Sequence, residues 1–216
     1  MLFFVARPAS SFSSTLLRSF RTSGTQRAMA KKVLVPIADG SEEIETSCIQ
    51  DTLVRFGAEV TVASVKPGGE LLCTMSRGLL VQAHKTIAEA AQESYDLIVL
   101  PGGMPGAEHL RDSPELKKLL KQQAAEKKYY GAVCAAPAVV LASQGLIPDG
   151  APSTSFPVPK FREALKQPSD ERVVIADNLV TSQGPGTSLE FALALGEKLF
   201  GTEKRDEIAK QLLLKE

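Results

Sequence analysis

The amino-acid sequence predicts an α/β fold with one mostly parallel sheet and helices on both faces. Three observations predict it. Short apolar runs recur along the chain, among them "KKVLVPI", "EVTVASV" and "YDLIVLP", and strands this continuously apolar are buried on both faces, as in parallel sheets. Between them lie segments with apolar residues at helical spacing and capping residues at their ends. The 216 residues, 44% hydrophobic and 23% charged, suffice for one well-buried domain, and no repeat or linker interrupts residues 31–216.

The elements follow in order. "KKVLVPIADG" is a buried strand closed by the turn signal Asp39-Gly40. "SEEIETSCIQDTLVRFGAE" predicts a helix with Ser41 as N-cap, acids in its first turn and Gly57 as its stop. Ile44, Cys48, Ile49, Leu53 and Phe56 fall on one face of it. "EVTVASV" is the next strand, and "LLCTMSRGLLVQA" reads as a hairpin of two short strands. "YDLIVLPGG" is a buried strand ending in a tight turn. "SPELKKLLKQQAAEKK" has Ser113 as N-cap, Pro114 at the first helical position, and a stripe of Leu116, Leu119, Leu120 and Ala124. A strand then runs into Cys134, followed by a helix from Ala136 to about Ser143. "RVVIADNLVTSQGPG" is a strand pair turning at Asp177-Asn178. "TSLEFALALGEKLFG" carries a Thr187/Glu190 capping box and Gly201 as C-cap. A last helix spans Thr202 to Leu213.

Composition excludes several classes of function. Lys+Arg 25 against Asp+Glu 25 leaves no net basic charge for a nucleic-acid-specific surface. No apolar run is long enough to span a bilayer. Three cysteines without a CxxC pair argue against a disulfide framework or a zinc site and predict free thiols.

The N-terminal segment differs from the rest. It carries Arg7, Arg18, Arg21 and Arg27 and no acid before Asp39. Leu2, Phe3, Phe4, Phe12, Leu16, Leu17 and Phe20 can line one face of a short helix. Residues 1–28 therefore read as a disordered organelle transit peptide, for a mitochondrion or a plastid. The ordered apolar core of a secretory signal is missing. Met29 opens the domain, 29–216, and a start there would give a cytosolic form.

In parallel sheets ligands sit beyond the carboxyl ends of the strands. Four turns should gather there: Asp39-Gly40, Pro101-Gly102-Gly103, Cys134-Ala135-Ala136 and Gln183-Gly184-Pro185-Gly186. Cys134 would stand on a strand-to-helix turn, with Pro137 in the first helical turn. Unpaired amides and the helix dipole there favour thiolate over thiol; the alternative is an inert core cysteine. Glu45 flanks the buried stripe of the first helix and could meet that thiol, as a base or as a protonated donor; the alternative is a solvated acid at a helix start. Gly102 and Gly103 could offer amides to an oxyanion. "GPGTS" resembles a phosphate-binding helix start but lacks the G-x-x-x-x-G-K pattern. His109 follows the glycine turn and could approach Cys134, whereas His84 reads as a surface residue. Cys48 reads as core, and Cys73 as an exposed, secondary redox candidate.

The motifs "VLVPIADGSEEIE", "YDLIVLPGGMPGAEHLRDS", "AVCAAPAVVLA" and "LVTSQGPGTSLEFAL", in that order, resemble the ThiJ/PfpI superfamily. The branch is that of the Parkinson disease protein deglycase and its plant and bacterial relatives, and the resemblance runs from Lys32 to Leu213. It implies a flavodoxin-like sandwich that forms a homodimer. It places the reactive cysteine at Cys134, its carboxyl partner at Glu45, backbone donors at Gly102, Gly103 and Ala135, and a dimer-interface arginine at Arg77. The implied activities are a cofactor-free glyoxalase, acting on methylglyoxal or glyoxal, and a deglycase acting on early glycation adducts. The alternative is a redox sensor and chaperone through oxidation of Cys134 to the sulfinic acid. Two departures stand out. Phe156 occupies the place of a histidine of the animal branch, so any proton transfer would fall to Glu45 or water. Ala135 stands where the protease-like branch has a histidine, which disfavours peptidase activity.

Overall fold

A computed structural model describes residues 30–214; the segment read as a transit peptide lies outside the described residues. Among these, seven strands form one sheet in the order β5-β2-β1-β6-β7-β9-β8. The strands are β1 (Lys32–Ile37), β2 (Glu59–Ser64), β5 (Lys85–Thr86), β6 (Leu97–Leu100), β7 (Tyr129–Val133), β8 (Val173–Ala176) and β9 (Leu179–Ser182). All pairings are parallel except β8 with β9. A separate antiparallel hairpin joins β3 (Leu72–Thr74) to β4 (Leu80–Gln82). This is the predicted flavodoxin-like α/β architecture.

Alternation along the strands builds two cores. Val33, Val35, Ile37, Leu97 and Val99 face α1 (Glu43–Phe56) and α6 (Ser188–Phe200) through Ile49, Leu53, Phe191 and Leu195. Leu34, Ile98, Leu100, Tyr130 and Ala132 face the other layer. That layer contains α2 (Ile87–Ala90), α3 (Gly106–Asp112), α4 (Pro114–Ala125) and a six-residue π-helix, Pro137–Ala142. Two further helices are α5 (Pro159–Arg162) and α7 (Thr202–Gln211). No helix among the described residues is long and apolar enough to cross a membrane. β1 is flanked by β2 on one side and β6 on the other, and the chain leaves these strands in opposite directions. Their carboxyl ends therefore frame a crevice at the topological switch.

Several local expectations need correction. Ser41 does not cap α1: its hydroxyl accepts from the Ala38 amide at 3.0 Å and so closes the turn after β1. Glu42 is the cap, accepting from the Glu45 amide at 2.7 Å. The buried face of α1 is Glu45, Ile49, Thr52, Leu53 and Phe56. Ile44 is 53% exposed and Cys48 only half-buried, because the sheet-facing line is set by Glu45 and Ile49, one position further on. The Thr187/Glu190 capping box does not form. Thr187 is held in the Gly184 turn, its hydroxyl accepting from the Gly184 amide at 3.0 Å, while Glu190 pairs with Arg172 at 2.8 Å. The helix after Cys134 is a π-helix, and the last helix ends at Gln211. By contrast, Ser113 caps α4 with Pro114 at its first position, as predicted.

Candidate active site

β7 delivers Cys134 to the carboxyl edge of the sheet. Cys134 has φ of 64°, a left-handed conformation that costs a non-glycine residue on the order of 1–3 kcal/mol. The surroundings hold it there. Its amide donates to the Ser182 carbonyl at the end of β9, at 3.0 Å, and its carbonyl accepts from the Phe156 amide at 2.9 Å. Gly102 packs directly on it: a Cβ there would lie 2.7 Å from the Cys134 Cβ and 2.9 Å from the Ala135 nitrogen. Only glycine allows the loop after β6 to approach this closely.

Glu45, in the first turn of α1, is fully buried. Its Oε2 accepts from the Gly102 amide at 2.7 Å, while its Oε1, also buried, has no hydrogen-bond partner among the described residues; the carboxyl and the Cys134 thiol lie close enough to shift each other's titration. Burial, reinforced by the nearby Glu42 carboxylate, pushes the Glu45 carboxyl up to about 7 against the Gly102 amide and the thiol. Burial and the Glu45 carboxylate push the Cys134 thiol up to about 12, against amide donors at Gly103 and Ala135. The expected lowering of the thiol by the helix start is therefore outweighed while Glu45 is ionised. Sulfur carries a negative charge near neutrality only when Glu45 keeps the proton.

The backbone donors divide. Gly102 is committed to Glu45, so it does not serve the sulfur or an oxyanion as expected. Gly103 and Ala135 remain on the sulfur side. Gly103, at φ 83°, is wedged against the β1–α1 turn; a Cβ there would lie 2.3 Å from the Gly40 oxygen.

The other candidates lie apart from this pair. His109 is exposed and its Nδ1 bonds the Asp39 carbonyl at 3.1 Å, so no Cys–His dyad forms. Arg77 is exposed on the β3–β4 turn. The Arg77 amide and the Ser76 hydroxyl each donate to the Glu43 carboxylate at 2.7 Å, which ties that turn to the start of α1. Cys73 is fully buried, not exposed; alternation along β3 turns it inward, and its thiol lies 3.7 Å from the Ser64 hydroxyl. Burial pushes both Cys73 and Cys48 up. Phe156 lies against the Gly184 turn, where a Cβ on Gly184 would come within 3.2 Å of its ring. A cavity of about 500 Å³, lined by Asp39, Lys66, Ile87 and His109, opens at the same end of the sheet without including Cys134 or Glu45. The sequence reading passed over Glu42 and Ser182; for Glu42, the i,i+3 spacing to Glu45 was the available signal.

Residues 31–198 match the DJ-1/PfpI family. The chain belongs to that family. Protein DJ-1 homolog B of Arabidopsis thaliana is 46% identical over 183 residues, covering 85% of this chain and 41% of that protein. This chain therefore spans less than half the length of that relative. The structure of oxidized Toxoplasma gondii DJ-1 superposes with a TM-score of 0.82 at 46% identity, covering 87% of this chain and all of that one. A Caenorhabditis elegans protein named glutathione-independent glyoxalase DJR-1.2 is 35% identical over 184 residues, covering 84% of this chain and 95% of that protein.

Proposed function

We propose that this protein is a cofactor-free, cysteine-dependent glyoxalase and deglycase. Its substrates are methylglyoxal, glyoxal and their early adducts with amines and thiols. The observation that carries the reading is the pairing of the half-buried Cys134 with the fully buried Glu45, flanked by the Gly103 and Ala135 amides. The name of the nematode relative supports it.

In the reactive form Glu45 holds the proton and Cys134 the charge. Sulfur attacks the aldehyde carbon, forming the S–C bond. The oxyanion that results faces the Gly103 and Ala135 amides and takes the Glu45 proton, giving a hemithioacetal. The Glu45 carboxylate then carries the proton of that carbon to the neighbouring carbonyl carbon, while the hydroxyl proton passes to the adjacent oxygen. One carbon is oxidised as its neighbour is reduced, so no external oxidant is needed. Water opens the resulting thioester, releasing a 2-hydroxy acid and restoring the thiol. An amine adduct enters the same route once its aldehyde carbon is captured and the amine leaves. The full chain incubated with methylglyoxal in the absence of glutathione should release lactate; no lactate above the uncatalysed rate would overturn the reading.

A second reading is a redox sensor and chaperone, in which peroxide takes Cys134 to the sulfinic acid and protonated Glu45 donates to it. The observation favouring it is the same carboxyl, already raised by burial. Exposed Ile44, Leu79 and Leu80 around the Glu43–Arg77 contact support a homodimer through this face. Sedimentation at a monomer's mass at micromolar concentration would sink that part. Residues 1–28 would serve import into a mitochondrion or plastid.

A further inference from the structure

We propose that the cavity between α2 and the start of α4 is a second ligand site, separate from Cys134 and Glu45, and that it takes an organic amine: an ammonium group on a compact apolar body.

The cavity measures about 500 Å³, within the range of small-molecule sites. Its lining comes from the residues that follow β1 and β2, the end of β5, α2, and the junction of α3 with α4. It therefore opens at the carboxyl ends of parallel strands, where such sheets bind ligands. Val65, Pro67, Ile87 and Pro114 give it apolar walls. The loop after β2 contributes two consecutive glycines, Gly68 and Gly69, so no side chain from these positions fills the space. Both take left-handed φ, at 89° and 82°, a conformation that glycine adopts at little cost.

The polar groups on the lining select the sign of the ligand. Among the described residues, Lys66 is the one lysine or arginine there. Its ammonium is already spent: Nζ lies 3.0 Å from Asp39 Oδ2, 3.0 Å from the Leu72 carbonyl oxygen and 3.6 Å from Glu70 Oε2. The same contact neutralises Asp39, which also accepts from the Thr74 amide at 2.8 Å. Asp112 pairs with Arg111 at 2.7 Å. The Glu115 carboxylate, in the first turn of α4, is in no ion pair among the described residues. His109 adds an acceptor. Its Nδ1 lies 3.1 Å from the Asp39 carbonyl oxygen, and a carbonyl can only accept. Nδ1 therefore carries the proton, and Nε2 of the neutral ring offers a lone pair. The start of α4 would by itself draw an anion. Here the Ser113 hydroxyl caps it, accepting from the Leu116 amide at 3.3 Å, and Glu115 supplies the negative charge. The uncommitted side-chain groups, Glu115 and His109 Nε2, thus suit N–H donors and a positive charge and disfavour a carboxylate or phosphate.

The test is titration of the isotope-labelled full chain with tryptamine, tryptophol and indoleacetate, followed by amide NMR. The three probes share one ring and are cationic, neutral and anionic. Tryptamine should shift the Gly68, Gly69, Ala88 and Glu115 amides saturably and leave those of Cys134 and Ala135 in place. Its affinity should exceed that of either other probe by roughly tenfold or more, the effect of one charge-assisted hydrogen bond. His109→Phe combined with Glu115→Gln should remove most of that preference. Ala88 is exposed on the lining, so Ala88→Trp should block the shifts while the melting temperature stays at wild type. Indoleacetate binding as tightly as tryptamine would overturn the choice of an amine. Absence of saturable shifts, shifts centred on Cys134, or tryptamine binding unchanged in Ala88→Trp would overturn the site. None of these readouts uses turnover, so a failure to release lactate from methylglyoxal would strike the glyoxalase reading alone.

Discussion

The Gly102 amide donates to the Glu45 carboxylate at 2.7 Å, and Gly102 also packs against the Cβ of Cys134. One loop thus holds the acid and the thiol together. It also leaves a fully buried carboxyl whose charged form has a single backbone donor.

That relationship has a pH signature. The Glu45 carboxyl is raised from 4.5 to about 7 by burial. Between these values the folded chain holds a proton that the unfolded chain releases, so stability falls as pH rises through the window. The penalty is absent below the unfolded value and complete above the folded one. It amounts to on the order of 3 kcal/mol. Glu45→Gln keeps an acceptor for Gly102 and removes the charge. Its Tm should exceed wild type by about 5 °C or more near pH 8, and the difference should vanish in acid. Equal melting temperatures at alkaline pH would refute the buried-charge account.

Cys134→Ser should abolish aldehyde turnover, by at least roughly 10³-fold, while the melting temperature stays near wild type. A serine hydroxyl at this turn remains protonated at neutral pH. Cys48→Ser and Cys73→Ser should keep turnover, because neither thiol touches the Glu45–Cys134 pair. Retained activity in Cys134→Ser would remove the catalytic assignment.

The helix that carries Glu45 meets α6 most tightly at Gly196. A Cβ on Gly196 of α6 would lie 2.2 Å from the Phe56 ring, which itself stacks on Phe200 at 5.7 Å. Phe56 is buried, so its ring has little open space to move into. Gly196→Ala should therefore cost about 1–3 kcal/mol by overpacking, read as a lower urea midpoint. An unchanged midpoint would mean that the α1–α6 interface yields more easily than its packing implies.

Much of this was legible in the sequence. The four turns at the strand ends, the elbow at Cys134 and the alternation of "VLVPI" and "LIVL" follow from local patterns that tertiary structure has no reason to override. What failed was competition for side chains. Ser41 and Thr187 have the residue type of helix caps, yet Ala38 and Gly184 claim their hydroxyls. Helical spacing could not choose between Ile44 and Glu45 as the inward residue, because an apolar residue exposed at one surface and a carboxyl paired at another exchange their usual places. Cys73 lies in a three-residue strand, too short for alternation to show which face turns inward. The helices α2, α3 and α5 have four, seven and four residues and leave no amphipathic stripe to read. The commitment of Gly102 to Glu45 joins residues 57 positions apart, which no local pattern encodes.

The N-terminal segment makes a separate prediction. Residues 1–30 fused to a fluorescent reporter should carry it into an organelle, because an Arg-rich, acid-free amphipathic segment responds to the import machinery and its potential. The same reporter fused to residues 29–216 should stay cytosolic. A diffuse signal from the first fusion would sink the import reading.

The two readings of the site meet at the proton on Glu45. As a donor, protonated Glu45 would hold a sulfinate formed at Cys134; as a base, the ionised form would move a proton between substrate carbons. Glu45→Gln retains a donor and an acceptor at the same reach, so mild peroxide should still give the Cys134 sulfinic acid, detected by mass. The same variant cannot take up a proton, so lactate release should fall by roughly 10²–10⁴-fold. Glu45→Asp shortens the side chain and leaves the Gly102 amide, now at 2.7 Å, without its partner; both outputs should suffer. Unchanged lactate release in Glu45→Gln would exclude the base role. Loss of the sulfinic acid with lactate release intact would exclude the donor role and leave catalysis as the function of the pair.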